Sequence, residues 1–210
     1  MMTSRGTNGV PDMIHCDGCT DDRPRKNIIT LALYGWTDPE LANVLRYSLE
    51  RFTGTLQGLP VIPAVSCQYL PVPEKIPAIN QERVFLSSLE QVGGNITIGV
   101  TGTGFFDPTL GRHLFSYGMS GGRGVLSTYR FQKESNSRSR FLDRMGKQVV
   151  KTLALACTLG SCPDPYCIVS YHRWAEDLDR NRYICGSCRE EFSKNLAFFL
   201  DLPGREGAGR

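Results

Sequence analysis

Apolar positions along the chain alternate between short β-prone runs and longer stretches with helical spacing. The first run, residues 27–36, is typical of a buried strand, and Thr37-Asp38-Pro39 behind it is a favourable helix start. The same patterns predict further strands over 59–70, 95–101 and 125–131, and helices over about 37–52, 79–92, 140–157 and 189–200. This order of elements predicts an α/β fold with a small sheet and helices packed on it.

The two ends of the chain lack this patterning. Residues 1–26 are polar and predict an extended arm, and residues 201–210 predict a flexible tail. Between them we expect an α/β domain over 27–160 and a C-terminal lobe over 161–200 whose own core is poor in apolar residues. No run of eighteen apolar residues occurs, and the N-terminus has no secretory pattern, so we expect neither a membrane span nor secretion.

Eight cysteines in such a chain favour an intracellular, reducing compartment, the cytoplasm or the mitochondrial matrix. Four of them form two close pairs, Cys162 with Cys167 and Cys185 with Cys188, separated by 17 residues. Two short thiolate pairs are the ligand set of a tetrahedral zinc site. The sequence therefore predicts one structural zinc ion, which would stabilise the C-terminal lobe.

The remaining cysteines predict no second metal site. Cys16 and Cys19 follow His15, and a metal site there would need a fourth ligand from Cys67, Cys157, His113 or His172. We interpret the pair as unpaired thiols of the arm. Cys157 lies on the apolar face of the long helix and is expected in the core.

The segment that runs into the cysteine pairs carries a family resemblance. Residues 151–162, KTLALACTLGSC, resemble without a gap the archaemetzincin signature HExxHxxGxxHC. Cys167 matches the next cysteine of that family, Val169 stands where it has a methionine, and Cys185 and Cys188 match its closing pair. The resemblance covers roughly residues 27–192. It implies a metzincin-like α/β fold, with a small mixed twisted sheet and packed helices that include the former catalytic helix.

The resemblance fails at each catalytic position. The three zinc-binding histidines correspond to Lys151, Leu155 and Ser161, the general-base glutamate to Thr152, and the glycine at the helix end to Thr158. A catalytic zinc needs about three protein ligands and an open position. No catalytic metal is therefore expected, and the sequence predicts a protein that is not an enzyme.

Two other features carry candidate chemistry. His113 and His172 are too few for a three-ligand set and are expected as packed or surface imidazoles. On the long helix, four basic residues are spaced four, three and four apart and predict a shared basic face that could contact RNA or an acidic partner: Arg140, Arg144, Lys147 and Lys151.

Three hypotheses about function follow. The first is a zinc-stabilised, catalytically inactive subunit of a larger intracellular assembly, with protein partners. The second is an active zinc metallopeptidase with displaced ligands, and the third is an RNA-contacting ribonucleoprotein component that uses the basic helix. The net charge of +3 does not separate them.

Overall fold

The computed structural model describes residues 27–35, 38–57, 59, 61–119 and 121–200. The predicted arm, the tail, Cys16 and Cys19 lie outside these residues. The described residues contain seven strands, at β1 Ile28–Tyr34, β2 Ala64–Leu70, β3 Ile96–Thr101, β4 Phe105–Asp107, β5 Arg112–Leu114, β6 Ser116–Met119 and β7 Arg123–Ser127. The helices are α1 Pro39–Gly54, α2 Gln81–Ser88 with a 3₁₀ turn at Leu89–Gln91, α3 Tyr129–Glu134, α4 Arg138–Ala156, α5 Asp177–Arg180 and α6 Gly186–Phe199.

Five strands form a mixed sheet in the order β2-β1-β3-β7-β6. The first four are parallel, and β6 is added antiparallel to β7 at one edge. Alternate residues of β1 face opposite sides of the sheet: Ile29 and Leu31 contact the core under α1 and α4, and Ala32 and Tyr34 contact the core under α2. The predicted fold class, a small mixed sheet with packed helices, is confirmed.

The predicted strand at residues 125–131 has a different end in the structure. The strand β7 stops at Ser127, and residues 129–134 form helix α3. The Ser127 Oγ accepts a hydrogen bond from the backbone N–H of Tyr129, which supports the first turn of α3. Periodicity alone does not separate strand from helix in a run this short, and the burial of Phe131 against α4 decides the outcome here.

A β-hairpin that periodicity did not predict lies between β3 and β6. Strands β4 and β5 pair antiparallel, and the carboxylate of Asp107 accepts from the backbone N–H groups of Thr109 and Leu110 to form the turn. This hairpin and the edge strand β6 form one wall of the cleft described below.

Residues 161–200 pack against the same core as the sheet. Cys162, Val169, Leu178 and Phe192 all belong to the cluster formed by α1, α4 and the sheet. The division into domains at residue 160 stays a prediction. Among the residues that the structure describes, no helix combines the length and apolar character needed to cross a membrane.

Candidate functional site

The four predicted cysteines lie together where the C-terminal segment meets α6. The Sγ atoms of Cys162, Cys167, Cys185 and Cys188 are all within 4.8 Å of one another. The Sγ of Cys162 is 3.7 Å from the Sγ of Cys185. Sulfurs about 2.3 Å from a tetrahedral zinc would be about 3.8 Å apart. The cluster could therefore hold one zinc ion, and the described residues contain no other such group of three or more His, Cys, Asp or Glu.

The thiols of this cluster differ in how readily they ionise. Hydrogen bonds from the Ser187 hydroxyl and from the backbone N–H of Cys188 lower the pKa of Cys185 to about 6. Burial raises the pKa of both Cys167 and Cys188. Zinc binds the thiolate form, so binding must displace protons from the thiols of Cys167 and Cys188.

A cleft of about 210 Å³ lies between α4, the β5–β6 wall and residues 161–172. Helix α4 contributes Gln148, Lys151 and Leu155, which share one face at helical spacing. The helix begins with the Ser137 hydroxyl, which accepts from the backbone N–H of Arg140. Ser161 also lines the cleft, whereas the Oγ1 of Thr152 donates back to the Gln148 carbonyl inside the helix.

Lys151 and His172 meet at the wall of this cleft. The Lys151 Nζ donates to the Ser170 carbonyl and lies 3.1 Å from Nδ1 of His172. Burial lowers the pKa of Lys151 to about 8, against a smaller opposing attraction to Asp177. Burial and the Lys151 charge together lower the pKa of His172 to about 4, so the imidazole is neutral at pH 7. With Lys151 donating to Nδ1, the imidazole proton lies on Nε2, 3.2 Å from the Ser170 hydroxyl.

The donor set in the cleft does not fit a catalytic zinc. An ammonium has no lone pair, and a leucine has no donor atom at all. Thr152 is buried with its hydroxyl bonded into the helix, and of the four motif positions only Ser161 offers an unengaged oxygen. Two imidazoles, those of His113 and His172, line the cleft. The two ring nitrogens of His172 face Lys151 and Ser170. The sequence predicts a packed or surface imidazole at residue 172 and gives no sign of the contact with Lys151.

No protein-family profile matches the chain. A curated archaemetzincin from Haloquadratum walsbyi is 27% identical to it over 116 residues, which cover 50% of this chain and 65% of that relative's length. The crystal structure of an archaemetzincin from Methanopyrus kandleri superposes with a TM-score of 0.68 and 22% identity, covering 81% of this chain and 96% of its own.

Two more solved structures have the same architecture. A zinc-dependent peptidase from Methanocorpusculum labreanum gives a TM-score of 0.60 at 18% identity. An archaemetzincin from Archaeoglobus fulgidus, in complex with malonate, gives 0.59 at 19% identity. Both cover 78% of this chain and 99% of their own. The chain has the archaemetzincin fold. The resemblance predicted from residues 151–188 is confirmed.

These comparisons correct one expectation about the archaemetzincin-like chain. The sequence predicted that it is not an enzyme, because four motif positions lack the expected side chains. The solved structures that share its fold include archaemetzincins and a zinc-dependent peptidase, so the chain has the fold of an enzyme family. The prediction that the chain is not an enzyme is therefore wrong, because its relatives in sequence and fold are enzymes.

The sequence predicted that four basic residues of α4 share one exposed face. The structure does not have such a face. Arg144 is 2% exposed, and its Nε and Nη2 donate to the two carboxylate oxygens of Asp179 at 2.8 and 2.7 Å. Lys147 pairs with Asp143 and Lys151 lies in the cleft, so Arg140 is the most exposed of the four. The reason is that α5 packs along this side of α4 and supplies the acidic partner. RNA binding and protein partners stay predictions.

Proposed function

We propose that this chain is a peptidase that hydrolyses a peptide bond in the cleft, with Lys151 as the group that moves the proton. The observation that supports this most directly is the buried amine of Lys151, whose pKa of about 8 lies near neutrality. Catalytic acids and bases work best when their pKa lies near the operating pH. The names of the proteins that share the fold favour a peptide as the substrate.

The chemistry that we propose uses the neutral form of the Lys151 amine. The amine accepts a proton from water while the water oxygen bonds to the carbonyl carbon of the substrate. The C–N bond then breaks, and the Lys151 ammonium gives its proton to the departing amine. One water is consumed, and an acid and an amine form. His172, neutral and hydrogen-bonded on both nitrogens, holds the Lys151 side chain in place.

A zinc ion in the four-cysteine cluster would have a structural part in this proposal. It would stabilise the segment that carries Ser170 and His172. The backbone N–H of Ser170 donates to the Cys167 carbonyl at 3.0 Å, which ties the cluster to the cleft. Zinc-binding thiolates persist in a reducing environment, so we propose an intracellular location.

Peptide cleavage followed by mass spectrometry across pH 6 to 10 tests this proposal. We expect the rate to rise with pH until about 8 and then to level off, because the neutral amine is the active form. Lys151→Met should lower the rate by about 100-fold or more, and Lys151→Arg, which stays protonated, by a similar factor. Lys147→Met is the matched control, since it removes a lysine of α4 outside this cleft.

A wild-type rate in Lys151→Met would show that the proposal is wrong. If that residual cleavage also stopped on removal of metal while the protein stayed folded by circular dichroism, a metallopeptidase with displaced ligands would be the better explanation. Absence of cleavage in the wild-type chain, tested with a diverse peptide mixture, would equally contradict a peptidase.

A further inference from the structure

The charge of the cleft is unbalanced. Arg112, Arg130 and Lys151 line it, and no Asp or Glu is among its lining residues in the described part of the chain. A cavity lined by one sign of charge concentrates ligands of the opposite sign. The cleft therefore favours an anionic group. Which of the three cations can bind that group depends on how many of their N–H groups already have protein partners.

Arg130 is already engaged by the protein. Its Nε lies 2.6 Å from Oε1 of Glu134, and its Nη1 and Nη2 donate to the carbonyls of His113 and Arg173. Its guanidinium also lies over the Phe115 ring, 4.0 Å from the centroid. These contacts hold the hairpin wall in place and leave Arg130 little capacity for a ligand.

Arg112 is held but not saturated. Its Nη2 donates to the Tyr171 hydroxyl and its Nη1 makes a long contact of 3.4 Å with the Arg173 carbonyl. A guanidinium has five N–H groups, so three of them have no partner in the described structure. The ring of Tyr171 lies 5.8 Å from the guanidinium carbon and helps to fix its position. Such a pre-oriented arginine suits a carboxylate, which it can bind with two parallel hydrogen bonds.

Gln148 supplies a second, uncharged recognition group. The residue is 1% exposed and lines the cleft, and its Nε2 donates to the Ser116 hydroxyl at 2.8 Å. The Oε1 atom has no hydrogen-bond partner among the described residues. An unpartnered buried acceptor is costly, and a ligand N–H would satisfy it.

The size and the apolar lining of the cleft restrict the ligand further. Its volume of about 210 Å³ is below the range of about 300 to 1,000 Å³ that holds drug-sized ligands. Leu114, Leu155 and Val169 supply apolar surface beside the polar groups. One amino-acid residue with an apolar side chain, an N–H and an adjacent anionic group matches these features.

We propose that the cleft recognises the C-terminal residue of a peptide, with Arg112 binding the terminal carboxylate and Gln148 Oε1 accepting the N–H of that residue. The inference rests on the proposed function for its substrate class and narrows it to cleavage of the last peptide bond. The bond to be cleaved then includes the nitrogen at Gln148, one helical turn along α4 from Lys151.

Binding of fluorescein-labelled peptides at pH 7.5, measured by anisotropy with the full zinc-loaded chain, tests this inference. The three probes end in leucine as the free acid, in leucine amide, and in glutamate amide with a free side chain. We expect the free acid to bind at least about tenfold more tightly than either amide, because only it offers the carboxylate beside the terminal N–H.

Arg112→Gln should abolish the preference for the free acid. Arg173→Gln removes a positive charge outside the lining and is the matched control, which should keep the preference. Gln148→Leu should weaken all three probes and leave their ratio unchanged, since each of them has the N–H. Circular dichroism verifies that each variant is folded.

Equal binding of the free acid and leucine amide would overturn the inference, and so would an undiminished preference in Arg112→Gln. Tighter binding of the glutamate amide would overturn it in favour of an acidic side chain. A clear preference for the free acid without any cleavage would support the inference and contradict the proposed peptidase. Cleavage at internal bonds without that preference would support the proposed peptidase and contradict the inference.

Discussion

At the scale of single residues, Thr158 has a strained backbone conformation. It follows the C-cap of α4 and has φ of +62°, a left-handed conformation that glycine adopts readily and a β-branched residue does not. The helix nevertheless ends there: the backbone N–H of Leu159 donates to the Ala154 carbonyl, and Leu159 is buried. The packing of the chain beyond the helix therefore holds Thr158 in a backbone conformation that is unfavourable for a β-branched residue.

We expect Thr158→Gly to stabilise the protein by about 1 kcal/mol, because glycine relieves the left-handed strain at an exposed position. The measurement is urea unfolding at constant zinc concentration. Thr158→Ala is the control: alanine keeps the strain and loses the hydroxyl, so it should give no gain. A Gly variant no more stable than the Ala variant would contradict this explanation.

At the scale of secondary-structure elements, glycines of the sheet allow helix α4 to pack closely against it. A Cβ on Gly118 of β6 would lie 2.5 Å from the Leu155 Cβ and 2.7 Å from its carbonyl carbon. A Cβ on Gly124 of β7 would lie 2.9 Å from Cγ2 of Thr152. The absence of side chains at these two positions lets α4 lie close to β6 and β7.

Gly118→Ala should destabilise the protein by about 1 to 3 kcal/mol or more, because its Cβ meets backbone atoms of α4 that cannot move aside cheaply. Thermal unfolding and urea unfolding measure the change. Gly93→Ala offers a matched comparison, since a Cβ there meets nothing within 4 Å, and we expect a change of less than about 0.5 kcal/mol. Similar losses in both variants would show that backbone freedom, and not close packing, explains the effect.

At the scale of the whole molecule, the cysteine cluster joins segments that are distant in the chain. Cys162 and Cys167 belong to the loop after α4, whereas Cys185 and Cys188 lie at the start of α6. The buried side chain of Asn181 extends the connection, because its Nδ2 donates to the Cys167 carbonyl at 3.0 Å and lies 3.3 Å from the Ser170 hydroxyl. Zinc at the cluster would thus stabilise the cleft as well as the segment itself.

The purified chain should contain one zinc per molecule by elemental analysis. Cys185→Ser should reduce the zinc content and lower the melting temperature by about 10 °C or more, since a lost structural metal removes several kcal/mol. Cys157→Ala, which changes a fully buried cysteine outside the cluster, should retain the zinc with a smaller loss of stability. An unchanged melting temperature in Cys185→Ser would contradict a structural role for zinc.

Local patterns were sufficient for the features that depend on neighbouring residues. The helical spacing of apolar residues predicted α1 and α4, the apolar runs predicted β1 and β3, and the spacing of the cysteine pairs predicted which four thiols meet. The resemblance across residues 151–188 added the family. These features follow from backbone geometry and from ligand spacing, which are properties of short segments.

Only the tertiary structure decided the environment of the charged residues. Lys151 and Arg144 share a helix face with the exposed Arg140, yet packing against residues 170–179 buries both, lowering the pKa of Lys151 and pairing Arg144 with Asp179. The contact of Lys151 with His172, 21 residues away, and the unpartnered Oε1 of Gln148 also depend on that packing. Burial of a charge is decided by which other segment covers it. Helical spacing alone therefore predicted a shared basic face, whereas the structure covers Arg144 and Lys151 with residues 170–179.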